Sequence, residues 1–208
     1  MSDLLPLFPL PSVVLFPNVF LPLHIFEPRY REMVADALAG DRVIGMVLLR
    51  PGWEHDYEGR PPVYRVGSSG VITHFERLAD GRYNIILRGV ERFRILEEDE
   101  TRSYRRGIVE PFPEQTLAPD DRRVLRNLRI KLEALLAAAK AGTDTGTASA
   151  MSDEDLINAL AQYLDLEALE KQALLERQCL RTRAESLVEL LEMKIMMSRT
   201  PGLSNVAH

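Results

Sequence analysis

Residues 66–95 read VGSSGVITHFERLADGRYNIILRGVERFRI. Val71, Thr73 and Phe75 alternate with Ile72, His74 and Glu76. Ala79-Asp80-Gly81-Arg82 then supplies an Asp-Gly turn, and Tyr83, Ile85 and Leu87 resume the alternation. Two period-two runs joined by such a turn predict a β-hairpin. Gly89 interrupts the second run, and Phe93 and Ile95 continue it against Arg92 and Arg94. A glycine inside so long a strand predicts a bulge or bend, with a positive φ as one way to make it, in a sheet that curls.

Working outward, Val43–Leu49 is an apolar run of strand length, suited to burial on both faces. Ser103–Val109 has the makings of one more strand. Between them, the stretch from Arg50 to Pro62 has no periodicity and reads as a loop, and Gly67-Ser68-Ser69-Gly70 reads as a strand-entry turn. One helix interrupts the strands. Pro28 suits a first helical position, Tyr30, Met33, Val34 and Ala37 make an apolar stripe, and Gly40 stops the helix at C′. Twelve of the thirteen prolines lie at or before Pro119. Repeated proline suits strands and turns rather than long helices.

Beyond Pro119 the chain is rich in Leu, Ala, Glu and Arg, which favour helix. Four helices are expected, at about 120–140, 152–164, 166–177 and 180–197. The first carries Leu125, Leu128, Leu132, Leu135 and Leu136 on one face. Ser152 caps the second and Asp165 the third, which turns Leu169, Ala173 and Leu174 inward. The fourth carries Leu180, Ala184, Leu187, Leu191 and Ile195, with Leu187 and Leu191 expected to be buried. Residues 142–150 read as a flexible linker, and Pro111–Gln115 as a stiff one, dividing a β domain at 1–113 from a helical subdomain at 114–200.

With 46% apolar and 27% charged residues in 208, the chain has the composition of a soluble globular protein. Its net charge of −5 gives no general drive toward nucleic acid or anionic lipid. Leu4–Phe26 lacks Asp, Glu, Lys and Arg, but its five prolines rule out a transmembrane helix and it fits a signal peptide poorly. A cytoplasmic location is expected. The single cysteine, Cys179, excludes a disulfide framework and a cysteine-based zinc site, and reads as a small buried helix residue.

Motifs for chemistry are missing from the 208 residues. There is no Gly-Lys pair and hence no Walker A loop, and the glycines do not match G-x-G-x-x-G or a nucleophile elbow. His24, His55, His74 and His208 share no metal-binding spacing; His24 reads as a hydrogen-bonded, half-buried strand residue. His55 beside Asp56 is a weak candidate for hydrolysis and more simply a surface pair. Arg88, Arg92, Arg94, Arg102, Arg105 and Arg106 cluster in sequence, but Glu91, Glu97, Glu98, Asp99, Glu100 and Glu110 are interleaved and cancel much of the field.

The motifs that stand out are Leu5-Pro6-Leu7-Phe8-Pro9-Leu10, Val14-Leu15-Phe16-Pro17-Asn18 and Leu21-Pro22-Leu23-His24-Ile25-Phe26-Glu27-Pro28-Arg29-Tyr30-Arg31, followed by Val66–Ile72, Asp80–Ile85 and Leu87–Ile95. In order and spacing they resemble the N-terminal substrate-binding domain of Lon proteases over roughly residues 4–115, and most of all the stand-alone bacterial Lon-domain proteins. The resemblance implies an α+β fold: a PUA-like, partly closed β-barrel with one inserted helix, followed by a C-terminal α-helical bundle. In full-length Lon an ATPase and a Ser-Lys protease domain follow. Here the Walker loop is missing and Lys131, Lys140, Lys171 and Lys194 lie in no protease-like context.

The resemblance therefore implies a non-catalytic, ATP-independent polypeptide-recognition module with no cofactor or metal. Its partners would be polypeptide clients or a component of a proteolytic system. Trp53, Tyr57 and Tyr64 are the candidate contact surface, since aromatic rings offer large contact area at low entropy cost. A plainer reading has them covering the open end of the barrel. The alternative function is RNA binding by a PUA-like protein through the arginines of Arg88–Arg106. Client identity and oligomeric state are left open by the sequence.

Overall fold

A computed structural model describes residues 4–57, 59–138 and 150–199. In chain order its elements are β1 (Leu5–Leu10), β2 (Phe20–Ile25), α1 (Pro28–Ala39), β3 (Val43–Leu48), β4 (Val66–Arg77), β5 (Tyr83–Asp99), β6 (Arg105–Pro111), α2 (Pro119–Ala138), α3 (Asp153–Tyr163), α4 (Ala168–Leu175) and α5 (Leu180–Arg199). They form two compact units. One holds the described residues up to Pro113 together with Asn158–Glu176; the other holds those of Glu114–Ile157 and from Arg177 onward. Residues 158–176, expected in a helical subdomain, thus group with the strands. No described helix is long and apolar enough to cross a membrane.

In the first unit the sheet order is β2-β5-β4-β3-β1-β6, and β6 also pairs with β5. Five strands therefore close into a ring, with β2 outside it on β5. Closure depends on the length of β5. Its first part, Tyr83–Arg88, lies between β2 and β4; its last part, from Phe93, pairs with β6. The change of neighbour falls where Gly70 faces Gly89 and Ser68 faces Arg92, so that Val90 and Glu91 stand against Ser69 alone. That is a bulge, and bulges bend and twist the strand that carries them.

Gly89 is glycine for a different reason from the positive φ considered above: among the described residues the positive-φ glycines are Gly52 and Gly81. A Cβ on Gly89 would lie 2.0 Å from the Phe16 carbonyl oxygen. The segment before β2 lies directly on this point. The Gly89 N–H donates to the Val19 carbonyl at 2.9 Å, and the Asn18 N–H to the Gly89 carbonyl at 3.0 Å. Val14, Leu15, Phe16 and Val19 are buried there without forming a strand or helix. Their backbone polar groups need partners, because unpaired buried amides are costly. Side-chain amides supply them. Gln162 accepts from Phe16 N–H at 3.1 Å and donates to Val14 O at 3.0 Å, and Asn158 donates to Pro17 O at 3.3 Å. From α4, Gln172 donates to Val66 O at 3.0 Å. These bonds explain why 158–176 belongs with the sheet.

Several local expectations change. Gly67-Ser68-Ser69-Gly70 lies buried inside β4, not in a turn. Gly40 ends α1 at φ −112°, and the left-handed residue is Arg42. The cap of α4 is Glu167, in a reciprocal box with Glu170, rather than Asp165. Leu169 and Ala173 are exposed; Gln172, Leu174 and Leu175 face inward. Cys179 is half-buried and precedes α5, its carbonyl accepting from the Thr182 hydroxyl. The expected linker at 142–150 lies outside the described residues except for Ala150.

In the second unit α2 packs on α5. Of the predicted stripes, Leu125, Leu132 and Leu136 are buried on one helix and Leu180, Ala184, Leu187 and Leu191 on the other, while Leu128, Leu135 and Ile195 are half-buried and Val188, outside the predicted stripe, is buried. Arg183 is fully buried and pairs with Glu114, while Arg181 reaches Asp121 at 2.7 Å.

Three substitutions test the first unit. Gly89→Val should lower stability by about 3 kcal/mol through overpacking, whereas Gly40→Ala, whose added Cβ would meet nothing closer than the Asp36 carbonyl oxygen at 3.7 Å, should change it by no more than about 0.5 kcal/mol. Gln162→Leu keeps the side chain's bulk but strands two buried backbone groups, and should cost about 3 kcal/mol. Thermal or denaturant unfolding reads all three. A Gln162→Leu protein as stable as its parent would show that the amide does not hold the Val14–Phe16 backbone.

Candidate functional site

The start of α1 organises the site. Glu27 precedes the helix in an extended conformation, and Pro28 opens it. That turn leaves the Glu27 carboxylate free to reach two neighbours. One oxygen accepts from Arg29 Nε at 3.0 Å; the other accepts the Tyr57 hydroxyl at 2.6 Å. Arg29 also donates to the Tyr57 carbonyl at 3.3 Å, and its guanidinium lies over the rings of Tyr30 and Tyr57, at 4.7 and 5.2 Å from their centres. The Glu-Pro-Arg-Tyr sequence is thus a clamp on the 50–62 loop. Within that loop, Trp53–Asp56 makes a single 3₁₀ turn.

Of the three aromatic residues expected to act together, the structure joins two. Trp53 and Tyr57 meet edge-on at 5.4 Å. Both are half-buried against the core cluster of Leu7, Val47, Leu49, Val63, Phe93 and Ile95. Tyr64 is half-buried elsewhere in the unit, with the Arg50 guanidinium 5.4 Å from its ring centre.

Beneath Tyr57 opens a pocket of about 240 Å³. Pro9 and Leu49 come from and after the β1–β3 pair, Arg29 and Tyr30 from α1, Tyr57, Gly59, Arg60 and Pro61 from the loop, and Ser103, Tyr104 and Arg105 from the entry to β6. Arg105 is 6% exposed. It donates to the Pro61 carbonyl at 2.8 Å and pairs with Glu98 at 2.9 Å. Burial lowers its pKa, Glu98 opposes that, and Arg60 and Arg29 add to it; an arginine nevertheless keeps its charge. Arg60 donates to the carbonyls of Asp99 and Arg102 at 3.1 and 3.2 Å. Tyr30 is 4% exposed and packs against Phe8 with ring centres 4.5 Å apart. Tyr104 donates to Asp36 at 2.7 Å.

The family follows from the matches of the chain. Residues 4–193 match the model described as the ATP-dependent protease La (Lon) substrate-binding domain. The chain belongs to the Lon substrate-binding domain family. Lon protease 2 of Syntrophobacter fumaroxidans is 28% identical over 85% of this chain and 22% of its own length. Lon protease 2 of Myxococcus xanthus is 27% identical over 92% and 24%. The chain spans less than a quarter of the length of these two relatives. Among solved structures, the Lon N-terminal domain protein of Xanthomonas campestris superposes with a TM-score of 0.61 at 27% identity, covering 90% of this chain and 98% of that one. The N-terminal domain of the Mycobacterium avium complex Lon protease shares the fold, with a TM-score of 0.72 at 18% identity over 91% and 98%. The partly closed barrel with helices is therefore the Lon N-terminal fold.

Within this Lon-family domain the six arginines of the RNA alternative do not form one surface. Arg92 is buried, donating to the Leu175 carbonyl at 2.8 Å and lying over Phe112. Arg105 is in the pocket. Arg94 pairs with Glu110, Arg102 with Glu32 and Asp36, and Arg106 with Asp99. His24 is exposed rather than half-buried, and bonds Asn84 at 2.8 Å and Arg82 at 3.1 Å. His55 and Asp56 are exposed on the 3₁₀ turn. Among the described residues no cluster of three or more His, Cys, Asp or Glu could hold a metal ion. Glu27, Arg29 and Arg60 were not marked as site residues by sequence reasoning, and Arg105 only as a member of the arginine cluster of the RNA alternative. The only available signal was the charged Glu-Pro-Arg-Tyr stretch inside an otherwise apolar motif.

Burial pushes the Tyr30 hydroxyl far above its ordinary pKa of 10.0. Burial first, then the Glu27 carboxylate, raises Tyr57; burial and Asp36 push Tyr104 up to about 12. For an acid whose pKa rises on folding, the stability it contributes is whole below pH 10 and falls above it, where the unfolded chain loses the proton first. Tyrosinate absorbance at about pH 10.5 should therefore rise less in the native than in the unfolded chain, and Tyr30→Phe or Tyr104→Phe should leave that early native rise intact. Equal rises in native and unfolded protein would contradict the burial of these hydroxyls.

Proposed function

We propose that this domain recognises polypeptides without catalysing a reaction on them, in the cytoplasm, as a client-binding partner of a proteolytic system. One observation carries this: the Glu27–Arg29 clamp holds the Trp53–Tyr57 loop over an open pocket lined by arginine and tyrosine, in a chain of the Lon substrate-binding family. The pocket has the mix that suits chain recognition: apolar walls, aromatic faces and a few fixed polar groups. A clamped loop also loses little freedom on binding, which helps affinity. The arginines of the RNA alternative lend it no comparable support, since most are buried or paired with acids within the domain.

Calorimetry of the chain with an unfolded, disulfide-free model client and with the same client folded tests the proposal. Binding of the unfolded form with Kd of about tens of micromolar or tighter, without ATP and without change to the client, is the expected result. Equal failure to bind either form, or equal binding of both, would end this reading.

A further inference from the structure

We infer that the arginine- and tyrosine-lined pocket takes the terminal carboxylate of a polypeptide, with the last side chain against its apolar wall. The inference rests on the polypeptide-recognition reading and adds which part of the client is read.

Charge comes first. Among the described residues lining the pocket are Arg29, Arg60 and Arg105 and no acid. Two of the three cations are balanced from outside: Arg29 by Glu27 and Arg105 by Glu98. Arg60 donates only to the two backbone carbonyls. The described lining thus carries one uncompensated positive charge. That matches a carboxylate better than a phosphate dianion, and a guanidinium's planar fork fits carboxylate geometry.

A neutral donor stands beside these charges. Tyr30 lines the pocket and is 96% buried, yet its hydroxyl makes no hydrogen bond among the described residues. That hydroxyl is therefore free to donate to a ligand in the pocket. Its raised pKa keeps the proton on, so it can donate to an anion.

Size and wall then set the class of anion. A volume of about 240 Å³ is below the roughly 300–1,000 Å³ of drug-sized ligand sites. It has room for one residue's end rather than a folded surface. Pro9, Leu49 and Pro61 give that end an apolar wall beside the charged one. Capture of a chain terminus by fixed donors is a recurring mode of peptide recognition.

Trp53 is the only tryptophan and touches Tyr57, which lines the pocket, so its fluorescence reports on the site. The probes are N-acetylated tetrapeptides ending in leucine, as the free acid and as the amide, titrated into the full chain and followed also by NMR shifts. The acid should bind about tenfold or more tighter than the amide. Arg60→Gln, which leaves the buried Arg105–Glu98 pair in place, should abolish that preference while the chain stays folded, its melting midpoint lowered only by the loss of the two carbonyl bonds. Acetate should compete with the acid peptide.

Four results would each overturn the inference: equal binding of acid and amide; no binding of the acid at about 10 mM; an undiminished preference in Arg60→Gln; or equal binding of an amidated peptide carrying an internal Asp. Competition by inorganic phosphate at far lower concentration than acetate would reassign the site to phosphate. If an unfolded client with an amidated terminus still binds, polypeptide recognition stands and only this pocket assignment fails. If the acid peptide binds and long clients do not, the reverse holds.

Discussion

Everything in the first unit depends on the close approach of the Phe16–Val19 backbone to Gly89. At this point β5 leaves β2 and turns toward β6, and that turn lets five strands close into a ring. The ring brings an irregular, apolar segment into the core, where its backbone would otherwise lack partners. Gly89 serves two of its polar groups, and Gln162 and Asn158 serve others. Removing the glycine's lack of a Cβ or the glutamine's amide disrupts the same junction from opposite sides. A helix that looks like part of a separate bundle is thereby committed to the sheet.

A second polar junction, at Glu27, gives the site its shape. Its carboxylate joins α1 to the loop by accepting from Arg29 and Tyr57 at once. Charge-assisted bonds to a half-buried carboxylate are stronger than neutral ones. The pair also neutralises Arg29, which leaves Arg60 as the uncompensated cation of the pocket lining. One residue therefore both holds the loop and removes one of the pocket's charges, as Glu98 does for Arg105.

The parts of this fold that repeat along the chain were legible in it. Alternation revealed the β4–β5 hairpin, and the Pro28 start with a Tyr30-Met33-Val34-Ala37 stripe revealed α1. Leucine spacing revealed α2 and α5 and the burial of Leu187 and Leu191. What stayed hidden depends on partners distant in sequence. Asn158, Gln162 and Gln172 look like the solvent side of leucine-rich helices, because nothing local shows that a bare backbone lies opposite. Leu169 and Ala173 were assigned inward by the same local logic and are exposed because those amides take the buried positions. Arg92 and Arg105 looked like members of a surface cluster, but their strand positions aim them into the protein. Within the aromatic trio, Trp53 and Tyr57 meet because Glu27 holds the loop; Tyr64 lies past Pro61 and Pro62 and takes Arg50 instead.

The pocket's location follows from how the ring closes. β6 pairs with β1 only from Leu5 to Leu7, ending at Arg105, while β3 continues along β1 to Leu10. Beyond Leu7, then, the β6 side of β1 has no strand partner. An open strand edge exposes backbone donors, and Pro9, which has none, stands there and lines the pocket. Arg105, as the first residue of β6, sits at the limit of the pairing, where its side chain reaches Pro61 in the loop instead of continuing the ladder. The proline that reads in sequence as a break in a strand is thus compatible with an interior strand, because the strand is interior for only part of its length. The gap left by the short pairing is the space that the Glu27-clamped loop covers with Tyr57.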